Sequence, residues 1–486
     1  MDGVKTEITD KKGKREIDFT GGNLFFWKVP LFALPMALTT MLQTLYTTID
    51  LWTVSNFGGG SLSMSAIGSN SALINLIITV VTQMSLGANV AIANAKGAND
   101  AKSADTYLHT ALWLALISGL FVAVFGYAIS PLMLTWMGTP ASIYSNAVTY
   151  MQIYFIGVPL NVLYNYESQI LRGLGDSRRP LYILVISGLV NVLFDYVFVA
   201  YGGMDVAGVA WATVLSELVS ATLGFLWLYF NKKGFVIFRF SHFKINKDAL
   251  FLIIKIGLPA GIQGLAFCLP NVLIQSSLYT ITDYYIDGTY ISVDEIVIGA
   301  SASAQIEGYI YALIEACSAA CLAMTGQNYG AKKIENFRKC YWYSMVWMLI
   351  FSAVSGCIAG FFAEPLLRIF VTESEGLNTA NAVAAGKERL LLFAITYFLD
   401  GIMDISGSYI RGMRHSTTPS VVTLIGCTGF RIVFLYTIFV QPYFHTVFWL
   451  YAAFPISWII ISIAYIPIVL HVEKKEMNSL RRPVAA

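Results

Sequence analysis

The sequence predicts an all-α membrane protein: twelve transmembrane helices in two six-helix lobes, related by a pseudo-two-fold axis along the membrane normal. Three observations predict it: apolar runs of spanning length, loops that alternate in basic charge, and an internal repeat. Of the 486 residues, 56% are hydrophobic and only 12% charged, and the mean hydropathy is +0.64. Soluble domains carry roughly 25% charged residues, so that class is excluded. Backbone polar groups in lipid are satisfied only by helices or closed barrels, and long unalternating apolar runs select helices.

Runs of about 20 apolar residues, enough to cross a core of ~30 Å, recur along the chain. They are read at 24–56, 66–95, 106–134, 141–171, 179–201 and 206–231, then at 250–281, 294–328, 337–362, 386–411, 418–441 and 446–471. Several exceed the bilayer core and must tilt, kink or project. With the N-terminus in the cytoplasm, the inner segments hold Lys11-Lys12, Lys14-Arg15, Lys96, Lys102, Arg172, Arg178-Arg179 and Lys232-Lys233. Further on they hold Lys332-Lys333, Arg338-Lys339, Arg411, Arg414, Lys474-Lys475 and Arg481-Arg482. The 282–295 loop carries Asp283, Asp287, Asp294 and Glu295 without a cation, and only the 363–389 loop is mixed. Basic residues favour the cytoplasmic side, and one miscounted helix would scramble the alternation. Both termini are therefore expected inside. Met1–Thr20 is polar and runs straight into a full-length span, so no secretory signal peptide is read there.

The repeat sets the architecture. Leu34-Pro35 recurs as Leu258-Pro259, Gly97-Ala98 as Gly330-Ala331, and Ile170-Leu171-Arg172-Gly173 with Pro180 as Tyr409-Ile410-Arg411-Gly412 with Pro419. Six spans per half bring both halves into the membrane in the same sense, as in transporters built from parallel repeats. The expected organisation is a cytoplasmic tail at 1–23, an N-lobe at 24–231, a cytoplasmic linker at 232–249, a C-lobe at 250–471 and a cytoplasmic tail at 472–486.

Ionisable groups inside the membrane cost roughly 2.5–3.5 kcal/mol each on the mildest scale, so each one calls for a reason. The first span carries Thr39, Gln43, Tyr46 or Thr47, and Asp50 at helical spacing; the fifth carries Ser187, Asn191 and Asp195; the sixth carries Thr213, Ser216, Glu217 and Ser220. At 1.5 Å per residue, Asp195 lies roughly 22 Å above Pro180, Asp50 about 30 Å above Pro30, and Thr213 roughly 10 Å below the outer start of its helix. Two carboxylates, an amide and a hydroxyl at similar depth could hold Na⁺ or share one proton. The plainer alternative puts Asp50 and Asp195 at helix ends in water. In the tenth span, Asp400 and Asp404 sit one turn apart, and Asp400 fits a site that attracts a cationic substrate or carries a proton, or a structural partner for Arg431 or Lys255. Glu167, Glu217, Glu307 and Glu315 read as interfacial or interhelical groups, and Cys317 and Cys321 as packing thiols.

The run Leu171-Arg172-Gly173-Leu174-Gly175-Asp176-Ser177-Arg178-Arg179-Pro180, the first span with Leu34-Pro35 and Tyr46-Thr47-Thr48-Ile49-Asp50, and Asn191-Val192-Leu193-Phe194-Asp195 followed by Gly208-Val209-Ala210-Trp211-Ala212-Thr213 resemble the MATE (multidrug and toxic compound extrusion) family in order and spacing. The resemblance implies a secondary active antiporter of the plasma (inner) membrane that exports organic cations in exchange for Na⁺ or H⁺. It implies a cation-coupling site at Asp50, Asn191, Asp195 and Thr213, a hinge at Pro35, and a monomer. Gln43, Tyr46 and Asp400 are candidate substrate contacts. Some members carry a glutamate in the seventh helix, where this chain reads Ala266-Phe267-Cys268-Leu269, which favours coupling in the N-lobe. The second half also lacks the Asn–Asp pair.

Other classes fit less well. A net charge of +2 is too small to suggest a nucleic-acid partner, and the partners expected are a small organic cation and the bilayer. No cofactor is expected beyond the coupling ion. The histidines His109, His242, His415, His445 and His471 fall near helix ends or in loops, so no membrane enzyme with a His-metal centre is assembled. A flippase of lipid-linked oligosaccharide precursors is the alternative; it would need a cationic cavity, whereas the intramembrane charges here are mainly acidic.

Overall fold

The computed structural model describes residues 16–21, 25–231, 234–281, 284–286, 288–371 and 378–481. The basic runs Lys11-Lys12 and Lys14-Arg15, with Lys232, Lys233, Asp283, Asp287 and Arg482, lie outside the described residues. Among those described, twelve helices are long and apolar enough to cross a membrane. They are α1 (Phe25–Phe57), α2 (Leu62–Gly97), α3 (Ala101–Trp136), α4 (Ala141–Gly173), α5 (Arg178–Tyr201) and α6 (Asp205–Phe230). Then follow α7 (Lys247–Thr280), α8 (Val293–Gly330), α9 (Ile334–Phe361), α10 (Thr379–Gly412), α11 (Thr417–Phe439) and α12 (Val447–Arg481).

These helices are inverted in polarity relative to soluble ones, as lipid demands. On α3 the large side chains Leu120, Phe121, Val124 and Phe125 face outward, while Ala111, Ala115 and Gly119 are buried. Small buried residues let helices approach closely where burial of apolar area no longer drives association. Helix starts follow local chemistry. Asp100 caps α3 by accepting from the Ser103 amide at 3.0 Å. Asp176 in the basic turn before α5 accepts from the amides of Arg178 and Arg179 at 3.0 and 3.1 Å.

The tenth helix departs from expectation. The span was expected from 386, but α10 begins at Thr379, where Asn378 accepts from the Ala380 amide at 3.0 Å. The cap and the following Ala-rich turns start the helix at Thr379, ahead of 386, in a stretch that hydropathy alone assigns to a loop. The mixed 363–389 loop also contains a short helix, Ala363–Phe370, with a Glu364–Arg368 pair one turn apart at 2.8 Å. Between α7 and α8 lies a small antiparallel hairpin, Tyr285–Ile286 with Thr289–Tyr290.

Packing divides the chain into two compact units. One comprises Met1–Phe25, Leu38–Gly264 and Gly326–Lys333; the other comprises Phe26–Ala37, Leu265–Thr325 and Ile334–Ala486. The divisions fall inside α1 on both sides of Pro35, inside α7, and near the end of α8 between Thr325 and Gly326. In the first unit α4 is the central helix, packed on α2, α3 and α6, with Phe155, Tyr166 and Ile170 fully buried. At its basic end the segment Glu16–Thr20 is pinned down. Glu16 pairs with Lys96 at 3.0 Å, and Ile17 donates to the Gly175 carbonyl at 3.0 Å. Phe19 is wholly buried; its amide donates to Gln327 Oε1 at 3.1 Å and its carbonyl accepts from Asn328 at 2.9 Å.

In the second unit two buried guanidinium groups are held by polar partners and aromatic rings. Glu307 on α8 meets Arg389 on α10 in a two-pronged pair at 2.8 and 2.9 Å. Arg431 on α11 donates to Ser457 and Asn271 at 3.1 and 3.3 Å and lies 4.2 Å over the Phe454 ring.

Candidate functional site

The portion of α1 within the first unit is rich in threonine. Thr44, Thr47 and Thr48 each donate to the carbonyl four residues earlier, at 3.3, 3.2 and 3.0 Å. Such back-bonding satisfies hydroxyls without a partner helix and loosens a helix towards bending. The hydroxyl end of the Tyr46 ring abuts Gly188 of α5, where any Cβ would overlap it. With Leu42 it joins a small cluster formed by Tyr164, Ile183, Leu184 and Ala221. Tyr46 is thus a half-buried packing residue of the α1–α5 contact, and Gln43 on the same helix is exposed.

One turn beyond Tyr46, Asp50 reaches α5. Its carboxyl lies close to both Asn191 and Asp195. Ser187, Asn191 and Asp195 form one face of α5 at four-residue spacing, and all three are buried, Asp195 completely. Asp195 is also the last α-helical residue before a π-helical stretch, Tyr196–Tyr201. Such widened turns re-aim side chains and recur at functional sites. The end-of-helix reading of Asp195 as a water-exposed group is excluded by its burial.

Neither oxygen of Asp195, nor Oδ1 of Asp50, receives a hydrogen bond from a donor of the protein. Two bare carboxylates cannot hydrogen-bond, and their repulsion at 4 Å is about 4 kcal/mol at an effective dielectric of 20. The arrangement is therefore complete only when one positive charge, a proton or a cation, lies between them.

Thr213 faces the half-buried side of α6, and its hydroxyl proton is spent on the Val209 carbonyl at 3.0 Å. Only its lone pairs remain to meet a cation. Tyr150 of α4 is buried within electrostatic reach of Asp50, Asp195 and Glu217, carboxylates of three helices. In the second unit, Asp400 is buried near Asp404 and Arg431, and Tyr311 donates to Asp404 at 3.2 Å. Of the two partners considered for Asp400, Arg431 is the one near it, although its hydrogen bonds go to Ser457 and Asn271.

Two features escaped the sequence reading. Asp205, at the start of α6, accepts from the Gly59 amide and Ser63 hydroxyl at 2.8 and 2.7 Å and from Asn146 at 3.3 Å. It clamps the α1–α2 turn to α4 and α6. The Gly58-Gly59-Gly60 run was the available signal, because only residues without side chains let a carboxylate approach the turn backbone so closely. The second is the partner of Glu217: that residue, read from the sequence as an interfacial or interhelical group, is buried against Gly157 and accepts from Asn161 of α4 at 2.9 Å.

A family model described as MatE matches residues 35–197 and 270–437, about two thirds of the chain and both halves of the repeat. The chain belongs to the MATE family. It is a multi-pass membrane protein of that family's fold. Among curated MATE relatives, the probable multidrug resistance protein YpnP of Bacillus subtilis is 27% identical over 86% of this chain and 89% of its own length. An FAD transporter of Shewanella oneidensis is 22% identical over 81% and 83%. A crystal structure of a MATE protein in complex with MaL6 superposes with a TM-score of 0.84 at 21% identity, covering 93% of this chain and 97% of the other.

Proposed function

We propose that the chain is a secondary active antiporter that exports organic cations in exchange for H⁺ or Na⁺ by alternating access, with both termini cytoplasmic in the plasma membrane. The observation that carries the reading is the meeting of Asp50, Asn191 and Asp195 in a buried site short of one positive charge. Asp50 and Asp195 bind the coupling ion, Asn191 orients Asp50, and Thr213 supplies an additional oxygen. The ion enters from outside and neutralises the pair. The loss of repulsion lets α1 bend near Pro35, the N-lobe cavity closes, and the cationic substrate is displaced. Moving a two-state equilibrium from 1:99 to 99:1 takes about 5.5 kcal/mol of differential affinity. Removal of one carboxylate–carboxylate repulsion is of that order. The multidrug designation of the YpnP relative supports an organic, apolar cargo.

The flippase alternative needs free cations for a pyrophosphate, whereas Arg389 and Arg431 are already engaged with Glu307, Ser457 and Asn271. The FAD transporter relative makes an anionic flavin the competitor cargo in any assay.

Antiport requires the ion and the cargo to compete. Binding of ethidium to the purified protein should weaken at least tenfold at saturating coupling ion, whether acid pH or Na⁺, and the effect should vanish in Asp195→Asn. Ethidium affinity indifferent to both ions, or FAD bound in its place, would overturn the reading.

A further inference from the structure

Glu167 of α4 is wholly buried, yet neither of its carboxyl oxygens receives a hydrogen bond. It lies against the α6 backbone at Gly224, where any Cβ would collide with Oε2. The titratable and charged neighbours are few. On its own helix are Tyr164 and Arg172, and on α6 Glu217 lies two turns away. On α5 Arg179 is paired with Asp176, on α2 Lys96 is paired with Glu16, and on α3 His109 is held between the Asp105 carbonyl and the Arg239 amide. An ionised carboxylate stripped of donors in an apolar interior is too costly to persist, so in this state Glu167 holds a proton.

Glu167 ends a line of polar groups that begins at the coupling site. Thr213, Glu217, Ser220 and Gly224 follow one face of α6, and Glu217 and Gly224 are roughly 10 Å apart along the axis. The rings of Tyr150 and Tyr154 on α4 lie 6.2 Å apart, centroid to centroid. Asn161 donates to Glu217 at 2.9 Å, and Asn165 donates to Asn161 Oδ1 at 3.0 Å. Polar groups thus continue from Asp50 and Asp195 through Glu217, Asn161 and Asn165 to within two residues of Glu167 along α4, and roughly 9 Å of helix separates Glu167 from the basic end of α4 at Gly173. Glu217 has one amide partner and Glu167 none, whereas a hard metal cation takes several oxygen ligands.

We infer that Glu167 is the inner release station for a coupling proton, the carboxyl through which H⁺ leaves the buried Asp50–Asp195 site towards the basic end of the first unit. The inference rests on the antiport reading and narrows its ion to H⁺. Glu167 releases its proton to water at the basic end and becomes a carboxylate. A proton from the Asp50–Asp195 pair passes to the Glu217 carboxylate and then to Glu167. Each transfer breaks one O–H bond and forms another, so Glu217 and Glu167 return to their starting states. One proton has reached the water at the basic end, and the Asp50–Asp195 pair, now one proton short, is reloaded from outside.

The test uses the full-length protein in proteoliposomes loaded with ethidium, with Glu167→Met and Asp195→Asn beside wild type. An apolar side chain of similar length removes an unpaired polar group, so Glu167→Met should melt at or above the wild-type temperature and bind ethidium within twofold of it. Its efflux driven by an imposed pH gradient should fall at least tenfold, and Glu167→Asp should retain part of it. A lower melting temperature for Glu167→Met would make the carboxyl structural and overturn the inference. So would wild-type efflux in Glu167→Met beside an inactive Asp195→Asn, with the antiport reading left standing. Wild-type efflux in Asp195→Asn would instead remove the coupling site itself. Efflux by wild type under a Na⁺ gradient, without response to pH, would also overturn the proton assignment.

Discussion

The pair formed by Glu307 and Arg389 offers a quantitative test of how this protein tolerates charge inside the membrane. Both side chains are nearly inaccessible, at 5% and 11% exposure, with contacts of 2.8 and 2.9 Å. Ser303 donates a further bond to Glu307 at 2.7 Å, and the Arg389 guanidinium sits 5.1 Å from the Phe393 ring centroid and 4.9 Å from that of Tyr451. Arg389→Leu leaves Glu307 with a single hydroxyl donor. Breaking a buried pair from one side costs about 3–5 kcal/mol, because a charge is left uncompensated. Glu307→Leu should cost less, about 2–4 kcal/mol, since the two aromatic faces still stabilise the guanidinium. The double substitution removes both charges and forfeits the cation–π contacts, about 1–2 kcal/mol. The singles therefore add to far more than the double, with a coupling energy of at least about 3 kcal/mol. Unfolding titrated with SDS in mixed micelles measures all four proteins. Additive losses, or a double variant less stable than Arg389→Leu, would refute the reasoning.

Two further predictions concern the first unit. Asp205→Ala removes hydrogen bonds from the Gly59 amide, Ser63 and Asn146; it should destabilise the unit by about 2–4 kcal/mol and speed deuterium uptake at residues 58–64, whereas unchanged uptake there would show that the clamp is idle. Gly188→Ala drives a methyl into the Tyr46 ring and should cost about 1–3 kcal/mol, most of it recovered on adding Tyr46→Ala; equal cost in both backgrounds would mean that α1 is not seated there.

The spans were legible because a continuous apolar run has one stable form in lipid, whatever it packs against. Helix ends were less so: Thr379–Ala385 reads as loop, and its helicity comes with the Asn378 cap, which lies beyond the reach of a hydropathy window. The Ser187–Asn191–Asp195 stripe could be read directly, since four-residue spacing places all three on one helix face. That Asp50 would meet this stripe rested on a family resemblance and a depth estimate, and the structure brings the three groups together. The roles of Glu167, Glu217 and Asp205 were hidden. Each depends on which residue of a neighbouring helix lies opposite, namely Gly224, Asn161 and Gly59, and no periodicity along one helix encodes that.

The coupling role of the Asp50–Asp195 pair is tested most directly by ethidium efflux from proteoliposomes under an imposed pH gradient or an imposed Na⁺ gradient, for wild type, Asp50→Asn and Asp195→Asn. One gradient should drive wild-type efflux. Both variants should lose at least nine tenths of it while eluting as wild type on gel filtration and still binding ethidium. Gradient-driven efflux at the wild-type rate in both variants would contradict the account.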